Sequence, residues 1–253
     1  MLNPSRVEDD RNADSLAPLS LLPEHALLTT SEIDHANWNY RHILGRIQRL
    51  RFDLIRSILG GKHALRLLEI GYGSGVFFPE LSKYSDSLYG IDPHPYPSDV
   101  MAVLAQNGVR ASLVQGTATE LPFEDHFFQI VVAVSALEFI DDLEKTCHEV
   151  KRVLEPGGSF IVVTPGYSPI LDLCVRMMTG ASPKHDFQNR RQRVLPWLYR
   201  AFVVNQRVDY PSFAHGARLY TALGLGVPTK NREALYKPRP LCSFRPRFTG
   251  FVP

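Results

Sequence analysis

The sequence predicts an α/β fold in which helices cover both faces of a mostly parallel β-sheet. Short apolar runs alternate with helical segments between residues 63 and 165, an order that is typical of parallel strands joined by helices. Residues 128–134 are nearly all apolar, as expected of a strand that is buried on both faces. Beyond this region, residues 201–210 and 217–223 have strand character. Antiparallel pairing of these two segments would complete a seven-stranded sheet.

Composition and charge narrow the class of protein. The chain has 253 residues, of which 44% are hydrophobic and 21% charged, values that are ordinary for a globular domain with appendages. A formal net charge of +2 lacks the basic excess of proteins that bind nucleic acid non-specifically, so we expect no nucleic-acid partner. The wide spacing of the cysteines argues against a zinc site or a disulfide framework and favours a reducing compartment; they are Cys147, Cys174 and Cys242.

The N-terminal residues lack the pattern of a secretion signal. Residues 1–21 carry several acidic side chains and have no long apolar run behind a basic start. No stretch approaches the ~18 consecutive apolar residues that span a bilayer. We therefore predict a cytoplasmic protein with no transmembrane segment and no bound metal, and the sequence leaves its oligomeric state open.

A polar arm and a helix precede the alternating region. Residues 1–30 are polar, contain prolines and have no periodicity, so we expect a flexible N-terminal arm. Residues 31–62 form a predicted helical segment, in which a helix over about residues 40–59 ends at Gly60 and Gly61. Its apolar stripe repeats at helical spacing and consists of Ile43, Ile47, Leu50, Leu54 and Ile58.

Arginines fill much of the remainder of this helix. They are Arg41, Arg46, Arg49, Arg51 and Arg56. We interpret the helix as packing its apolar stripe on the sheet and exposing its arginines to solvent. The alternative is a basic amphipathic helix on an anionic membrane, so peripheral membrane contact stays open. The preceding residues 38–41 either start the helix or close over a bound ligand.

Three alternating glycines follow the first strand of the sheet. The strand is predicted over residues 66–70, the glycines are Gly71, Gly73 and Gly75, and a helix is predicted over residues 76–84. Strand, glycine turn and helix form the opening unit of a nucleotide-binding sheet. Glycine lets the backbone turn sharply and approach a ligand, and the helix N-terminus offers unpaired N–H groups. The pattern therefore predicts a ligand site at this turn.

The remaining elements follow in regular order. We predict strands over residues 87–91, 111–114 and 159–164, and helices over residues 97–108 and 142–154. A capping box of Asp141 and Glu144 would begin the second of these helices. Because helices alternate with strands, we expect them on both faces of the sheet.

The spacing of the glycines separates two classes of ligand. A dinucleotide fingerprint would place the third glycine at position 76, which is Val76. The residues from Glu69 to Gly75 instead read E-x-G-x-G-x-G, which resembles motif I of the class I S-adenosylmethionine-dependent methyltransferases. This resemblance implies a Rossmann-like three-layer sandwich with S-adenosylmethionine as its cofactor.

Asp92 directly follows the second predicted strand. Ligands of such sheets bind at the carboxyl ends of the strands, so this carboxylate is expected in the site. There it would accept hydrogen bonds from both hydroxyls of a ribose, which suits NAD as well as S-adenosylmethionine. The alternative is an aspartate that only caps the turn before Pro93.

Four later segments also resemble the methyltransferase family. Residues 116–123, 128–132, 135–140 and 152–158 resemble its G-D-A-x-x-L-P-F, F-D-x-V, x-x-L-E-H-I and R-x-L-x-P-G-G segments. In the family the acidic residue of the first segment bonds the adenine amine, and this position is Thr117. The resemblance therefore implies a weaker contact there, with adenine read by the backbone of Ala118. Gln129 replaces the usual Asp of the second segment, and Phe139 replaces a common His of the third.

The resemblance and the strand-end positions together imply a set of cofactor-binding residues. They are Glu69, Gly71, Tyr72, Gly73, Gly75, Asp92, Pro93, Thr117, Ala118 and Ser135. The chain divides into a flexible arm (1–30), a helical segment (31–62), a cofactor-binding core (63–165), a substrate cap that completes the sheet (166–229) and a basic Pro-rich tail (230–253).

The implied reaction is in-line transfer of a methyl group to a small-molecule or lipid-like acceptor. No catalytic base is assigned. The ionisable candidates are His94, Glu138 and His185, and the candidates for an acceptor pocket are Tyr167 and Phe187. Two alternatives remain: an NAD-dependent oxidoreductase on a similar sheet, and a non-catalytic partner subunit with the methyltransferase fold. The second rests on Thr117 and Gln129, where carboxylates are usual.

Overall fold

A seven-stranded sheet organises the protein, in a computed structural model that describes residues 18–31, 34–166, 190–212 and 218–228. Its strands are β1 Ala64–Ile70, β2 Ser85–Asp92, β3 Ala111–Gln115, β4 Phe128–Val134, β5 Leu154–Pro165, β6 Val203–Tyr210 and β7 Tyr220–Gly226. Their order across the sheet is β3-β2-β1-β4-β5-β7-β6. Strands β1 to β5 run parallel to one another, and β7 runs antiparallel to both β5 and β6. The predicted mostly parallel sheet with an antiparallel end is confirmed.

Helices cover both faces of this sheet. In the described ranges they are α1 His42–Leu59, α2 Phe78–Leu81, α3 Pro97–Gln106, α4 Leu143–Val153 and α5 Arg191–Ala201. Alternate residues of a strand point to opposite faces. Leu67 of β1 therefore joins a core with α1, α2 and α3, whereas the next residue, Leu68, joins a core with α4 and α5. The architecture is a three-layer sandwich, as predicted.

The order of the strands places a crevice at one end of the sheet. From β1, the chain adds β2 and β3 on one side and then β4 and β5 on the other. The loops that follow β1 and β4 consequently lead away from each other, which opens a crevice at the carboxyl ends of these two neighbouring strands. Ile70 of β1 and Ala133 of β4 are paired beside it.

Helix α1 differs from the prediction in the placement of its arginines. Its apolar stripe packs on the sheet, with Ile55 fully buried. Arg56 is only 4% exposed, and its guanidinium lies 3.0 Å from carboxylate oxygens of both Glu80 and Asp53. Arg51 is half-buried. The expectation that these arginines lie in solvent is wrong, because both positions lie within three or four residues of buried positions of the stripe.

Two strand and helix boundaries also differ from the prediction. Helix α2 begins at Phe78 rather than at residue 76, because the preceding residues belong to the glycine turn, in which the Gly75 N–H donates to the Tyr72 carbonyl at 2.8 Å. Strand β5 begins at Leu154, before the predicted turn, because Leu154 pairs with Phe128 ahead of a register shift.

The cap of α4 comes from a neighbouring residue. The side chain of Asp142 accepts a hydrogen bond from the Lys145 N–H at 2.9 Å. The predicted capping box of Asp141 and Glu144 is wrong. The Asp141 carboxylate instead lies 3.2 Å from Nε of Arg190, which directly precedes α5.

The described part of the predicted N-terminal arm lies against the domain. Leu22 is fully buried and its N–H donates to the Val76 carbonyl at 3.1 Å. The Ser20 N–H donates to the Glu80 carboxylate at 2.8 Å. The rest of the arm (1–17) and the basic tail (230–253) lie outside the described residues. Among the helices that the structure describes, none has the length and apolar character needed to cross a bilayer.

The sequence did not predict α5. Residues 186–193 are polar and basic, and Pro196 lies inside the helix, where proline removes a backbone hydrogen bond. In the fold, Val194 and Leu198 are buried in the same core as α4, so tertiary packing stabilises a helix that local preference disfavours.

Candidate active site

The glycine loop after β1 has the backbone that the sequence predicted. Gly71, Gly73 and Gly75 have φ values of 76°, 51° and 73°, in the left-handed region that favours glycine. A Cβ atom on Gly71 would lie 2.5 Å from the Cβ of Ala136, in the loop after β4. Glycine is therefore required at position 71 both for its φ angle and because the two loops of the crevice come so close together.

Asp92 fastens this loop to the end of β2. One carboxylate oxygen accepts the Gly73 N–H at 2.9 Å and the other accepts the His94 N–H at 3.2 Å. The side chain is 14% exposed, and Pro93 beside it is exposed. Because a carboxylate oxygen accepts more than one hydrogen bond, both oxygens keep acceptor capacity for a ligand. The pair of N–H donors fixes the direction in which that capacity points.

His94 is occupied by the same loop. Its Nδ1 accepts the Tyr96 N–H at 3.1 Å, so the ring proton is on Nε2, which donates to the Gly73 carbonyl at 3.0 Å. The side chain is 3% exposed, and its ring meets the edge of Tyr72 with centroids 4.9 Å apart. Both ring nitrogens are therefore engaged, and His94 holds the glycine loop rather than serving as a free base.

The turn after β3 is supported from α4. Arg152 donates to the carbonyl oxygens of Leu121 and Phe123 at 2.8 and 2.7 Å and to the carboxylate of Glu149. Hydrogen bonds from Arg152 lower the pKa of Glu149 to about 2. Two motif segments that are distant in sequence thus form one structural unit beside the site.

The predicted adenine-reading residues lie at this turn. Thr117 is exposed, and its hydroxyl contacts that of Thr119 at 2.9 Å. Ala118 is buried. The Gly116 N–H donates to the Asp92 carbonyl at 3.0 Å, so the turn is joined directly to the end of β2.

Buried oxygens without partners collect at the ends of β1 and β4. Among the described residues, no hydrogen bond is made by Glu69 Oε2, Tyr72 Oη, Ser74 Oγ, Ser135 Oγ or Glu138 Oε2. An unsatisfied buried polar group costs about 1–3 kcal/mol, so such a cluster needs an explanation. A polar ligand in the crevice would supply partners for the members of the cluster that line it.

Glu69 and Ser135 lie on opposite walls of the crevice. Glu69 is 3% exposed, and burial raises the pKa of its carboxyl well above the ordinary value, against the opposing effect of Arg51. Ser135 has φ 51°, a left-handed conformation that is unusual outside glycine, and its N–H donates to the Val163 carbonyl at 2.9 Å. Local backbone strain of this kind is common at ligand sites.

Glu138 lies deeper, under the loop after β4. It is fully buried, and the Thr164 hydroxyl donates to its Oε1. Burial raises the pKa of Glu138 to about 7, while Thr164 and the guanidinium groups of Arg191 and Arg51 act in the opposite direction. The carboxyl therefore joins the loop after β4 to β5 from inside the fold.

Comparison with known proteins indicates the family of this segment. The sequence profile of the family described as "Methyltransferase domain" matches residues 68–162, which contain the glycine loop, Asp92 and both adjoining turns. Residues 68–162 therefore match a methyltransferase domain, as the resemblance to class I S-adenosylmethionine-dependent methyltransferases predicted. The methyltransferase domain is the same segment that the ordered motifs predicted.

Curated relatives match over the core of this methyltransferase domain. The chain is 33% identical over 98 residues to a sterol 4-C-methyltransferase of Caenorhabditis elegans, covering 38% of this chain and 29% of the relative. It is 33% identical over 101 residues to a ubiquinone biosynthesis O-methyltransferase of Azorhizobium caulinodans, covering 40% of each. The chain thus spans less than half the length of these relatives.

A solved structure extends the likeness of the fold beyond the matched core. Geranyl diphosphate C-methyltransferase from Streptomyces coelicolor superposes with a TM-score of 0.58 over 86% of this chain and 93% of its own, at 13% identity. At that identity the likeness concerns the fold alone.

Gln129, one of the two positions at which the family usually has a carboxylate, lies far from the crevice. It is near the amino end of β4, where its Oε1 accepts the Arg66 N–H at 2.8 Å and its Nε2 donates to Glu155. Both polar atoms of its amide are used in joining β1, β4 and β5. Gln129 therefore gives no reason to expect a degenerate cofactor site, and of the two missing carboxylates only that at Thr117 concerns the site.

Sequence reasoning missed two charged residues of the site. Asp34 of the N-terminal segment lies over the glycine loop, with its carboxyl group 3.5 Å from where a Cβ on Gly73 would be. Arg51 of α1 is close enough to Asp34, Glu69, Glu138 and Tyr220 for these groups to affect its pKa. The sequence feature that could have placed Arg51 in the site is its position within the apolar stripe of an amphipathic helix.

The remaining candidates are not described by the structure. His185, Tyr167 and Phe187 lie outside the described residues. Among the residues that are described, no group of three or more His, Cys, Asp or Glu side chains is arranged to hold a metal ion.

Proposed function

We propose that this protein transfers a methyl group from S-adenosylmethionine to a small-molecule or lipid-like acceptor. One observation carries the proposal: the glycine loop orients the carboxylate of Asp92, and buried oxygens of Glu69 and Ser135, at the ends of the neighbouring strands β1 and β4, have no partner among the described residues. A ribose would give Asp92 hydroxyl donors, and a charged amino-acid group would give the buried oxygens partners. S-adenosylmethionine carries both groups.

The chain's own residues bind and orient the reactants. Asp92 accepts hydrogen bonds from the ribose hydroxyls, and the turn at Thr117 and Ala118 contacts the adenine. Glu69 accepts a hydrogen bond from the ammonium of the methionine end, and the glycines let the backbone approach that part of the cofactor. The bound sulfonium supplies an electrophilic methyl group. The contribution of the protein is then alignment of the acceptor with that methyl and exclusion of water from the crevice.

Related proteins support a lipid-like acceptor. One relative is named as a sterol methyltransferase, another as a methyltransferase of ubiquinone biosynthesis, and the structural neighbour holds geranyl diphosphate. Their names include both C- and O-methylation, so the attacking atom belongs to the acceptor rather than to the shared core. We propose a cytoplasmic location as well, since Cys147 is a buried free thiol.

Calorimetric titration of S-adenosylhomocysteine tests the proposal. We expect binding to the wild type and a loss of about ten- to a hundredfold in affinity for Asp92→Ala, because a hydrogen-bonded charged acceptor is removed. The matched control is Asp86→Ala, since Asp86 lies on the same strand but is 59% exposed at the opposite end. This control should bind like the wild type.

Two other outcomes of this titration would favour the alternative functions. If the wild type does not bind S-adenosylhomocysteine, the proposed function is wrong, and titration with NADH would test the oxidoreductase alternative. If it binds but no methyl group reaches any acceptor in a pool of isoprenoid, sterol and phenolic compounds, the non-catalytic subunit is favoured.

A further inference from the structure

The guanidinium of Arg51, on α1, has no hydrogen-bonding or ionic partner among the described residues. Its Nε is buried with no acceptor. The guanidinium carbon lies 4.8 Å from the centroid of the adjacent Phe52 ring. Burial lowers the pKa of Arg51 even with acidic groups nearby, so its charge is poorly compensated. An uncompensated buried charge is costly unless a ligand of opposite charge completes the site.

The acidic neighbours of Arg51 differ in how far other groups of the protein hold them. Asp34 accepts hydrogen bonds from the Thr30 hydroxyl at 2.7 Å and from the Ala36 N–H at 3.2 Å. Glu138 accepts from Thr164 through Oε1, which fixes it under the loop after β4, and its Oε2 has no partner among the described residues. Glu69 lies near the carboxyl end of β1, two residues before the glycine loop, and its Oε2 also has no partner among the described residues.

A gap separates Arg51 from Glu69. The two groups are close enough to shift each other's pKa in opposite directions, yet no Arg51 nitrogen lies within 4.0 Å of a Glu69 oxygen. Two unpartnered groups of opposite charge would close into a salt bridge if the fold served only to pair them. Their separation instead suits a ligand that carries both charges, with its anion toward Arg51 and its cation toward Glu69.

We infer that Arg51 and Glu69 form a receptor for the α-amino-acid end of the cofactor. The inference rests on the proposed function and adds the residue that binds the carboxylate. The planar guanidinium of Arg51 donates two hydrogen bonds to that carboxylate, and Glu69 accepts from the ammonium. Arg51 thus makes α1 part of the cofactor site, which the motif-bearing core alone does not include.

A pair of ligands that differ by one carboxylate tests this inference. Calorimetry would compare S-adenosylhomocysteine with S-(5′-adenosyl)-3-thiopropylamine, which lacks only the α-carboxylate, on the wild type and Arg51→Gln. We expect the wild type to prefer S-adenosylhomocysteine by about ten- to a hundredfold, and Arg51→Gln to bind the two ligands alike. Arg51→Lys, which keeps the charge but loses the planar fork, should show an intermediate preference.

The control is Arg46→Gln, an exposed arginine of the same helix, which should keep the full preference of the wild type. Equal binding of both ligands to the wild type would overturn the inference. So would a loss for Arg51→Gln that is the same for both ligands, since Arg51 would then shape the site without contacting the carboxylate. Failure of the wild type to bind either ligand would count against the proposed function itself.

Discussion

The two ends of the sheet are built by opposite rules. At the amino end, Gln129 of β4 bonds both the Arg66 backbone of β1 and the Glu155 carboxylate of β5, and Arg66 lies 3.4 Å from the same carboxylate. At the carboxyl end of the same strands, Glu69 and Ser135 keep buried oxygens with no partner. At the amino end the amide of Gln129 and the carboxylate of Glu155 are paired, and Nε of Arg66 is left without a partner among the described residues. At the carboxyl end the unpaired atoms are oxygens that line the proposed ligand crevice.

The difference shows where stability and binding are separated along a parallel strand. Within β1, Arg66 and Glu69 are three residues apart, yet the first belongs to a hydrogen-bonded network with Gln129 and Glu155 and the second to the crevice. A paired network contributes stability, whereas an unsatisfied buried group lowers it until a ligand arrives. Each prediction below separates these two contributions.

The largest expected effect is at Gly71. In Gly71→Ala the new Cβ would lie 2.5 Å from the Cβ of Ala136 at a φ of 76°. We expect the free energy of unfolding in urea to fall by about 2–5 kcal/mol, from overpacking together with left-handed strain. Affinity for S-adenosylhomocysteine should fall as well, because the two loops of the crevice are forced apart.

Gly108→Ala is the matched control for this substitution. Gly108 has nearly the same φ, 77°, but a Cβ there would meet no atom within 4 Å. It should lose only the left-handed strain, about 1–2 kcal/mol, with unchanged affinity. Equal losses in the two variants would show that the loops of the crevice are not held close together in solution.

The next effect concerns the pH dependence of stability through Glu138. Its pKa is raised to about 7 in the folded protein, so between pH 4.5 and 7 the folded state holds a proton that the unfolded state has released. Stability therefore falls as pH rises through this window, by about 3 kcal/mol at most. Glu138→Gln remains neutral and still accepts from Thr164, so it should be the more stable protein at pH 8.

Urea unfolding at several pH values measures this effect. Glu69 also titrates with a raised pKa, but it is present in both proteins and cancels in their difference. Exposed Glu124, changed to Gln, is the control and should leave the curve unchanged. Parallel curves for the wild type and Glu138→Gln would mean that the buried carboxyl is already ionised below pH 7.

The parts of the fold that the sequence predicted depend on local patterns. Strand β4 has the predicted bounds, since an unbroken apolar run leaves little ambiguity, and α3 begins at the predicted Pro97. Asp92 was placed at a strand end by its position after an apolar run. These features need information only from neighbouring residues.

The parts that the sequence missed depend on contacts between distant segments. Arg51 reaches the crevice only because α1 packs across the sheet beside β5 and β7. The sequence alone makes His94 a candidate base, but in the structure both of its ring nitrogens are hydrogen-bonded to backbone groups of the surrounding loops. The capping box failed because Arg190, far along the chain, engages Asp141. The periodicity of apolar residues along the sequence gives no information on contacts between such distant residues.

The smallest expected effects come from the two positions at which the family usually has a carboxylate, which lie at opposite ends of the sheet. Thr117→Asp restores a carboxylate beside the adenine site, and it should tighten binding of S-adenosylhomocysteine by about two- to tenfold, because a charged acceptor is stronger than a hydroxyl. Gln129→Asp restores the other carboxylate but is too short to keep both hydrogen bonds. It should lower the free energy of unfolding by about 1 kcal/mol and leave affinity unchanged.

Calorimetry and urea unfolding on the same two variants distinguish the ends of the sheet. A gain in affinity for Thr117→Asp without a change for Gln129→Asp would place adenine recognition at the turn after β3, since Thr117 is exposed there and has only Thr119 to lose. If Gln129→Asp instead weakened binding, the network at the amino end would be coupled to the crevice through β4. The separation of stability from binding along these strands would then be incorrect.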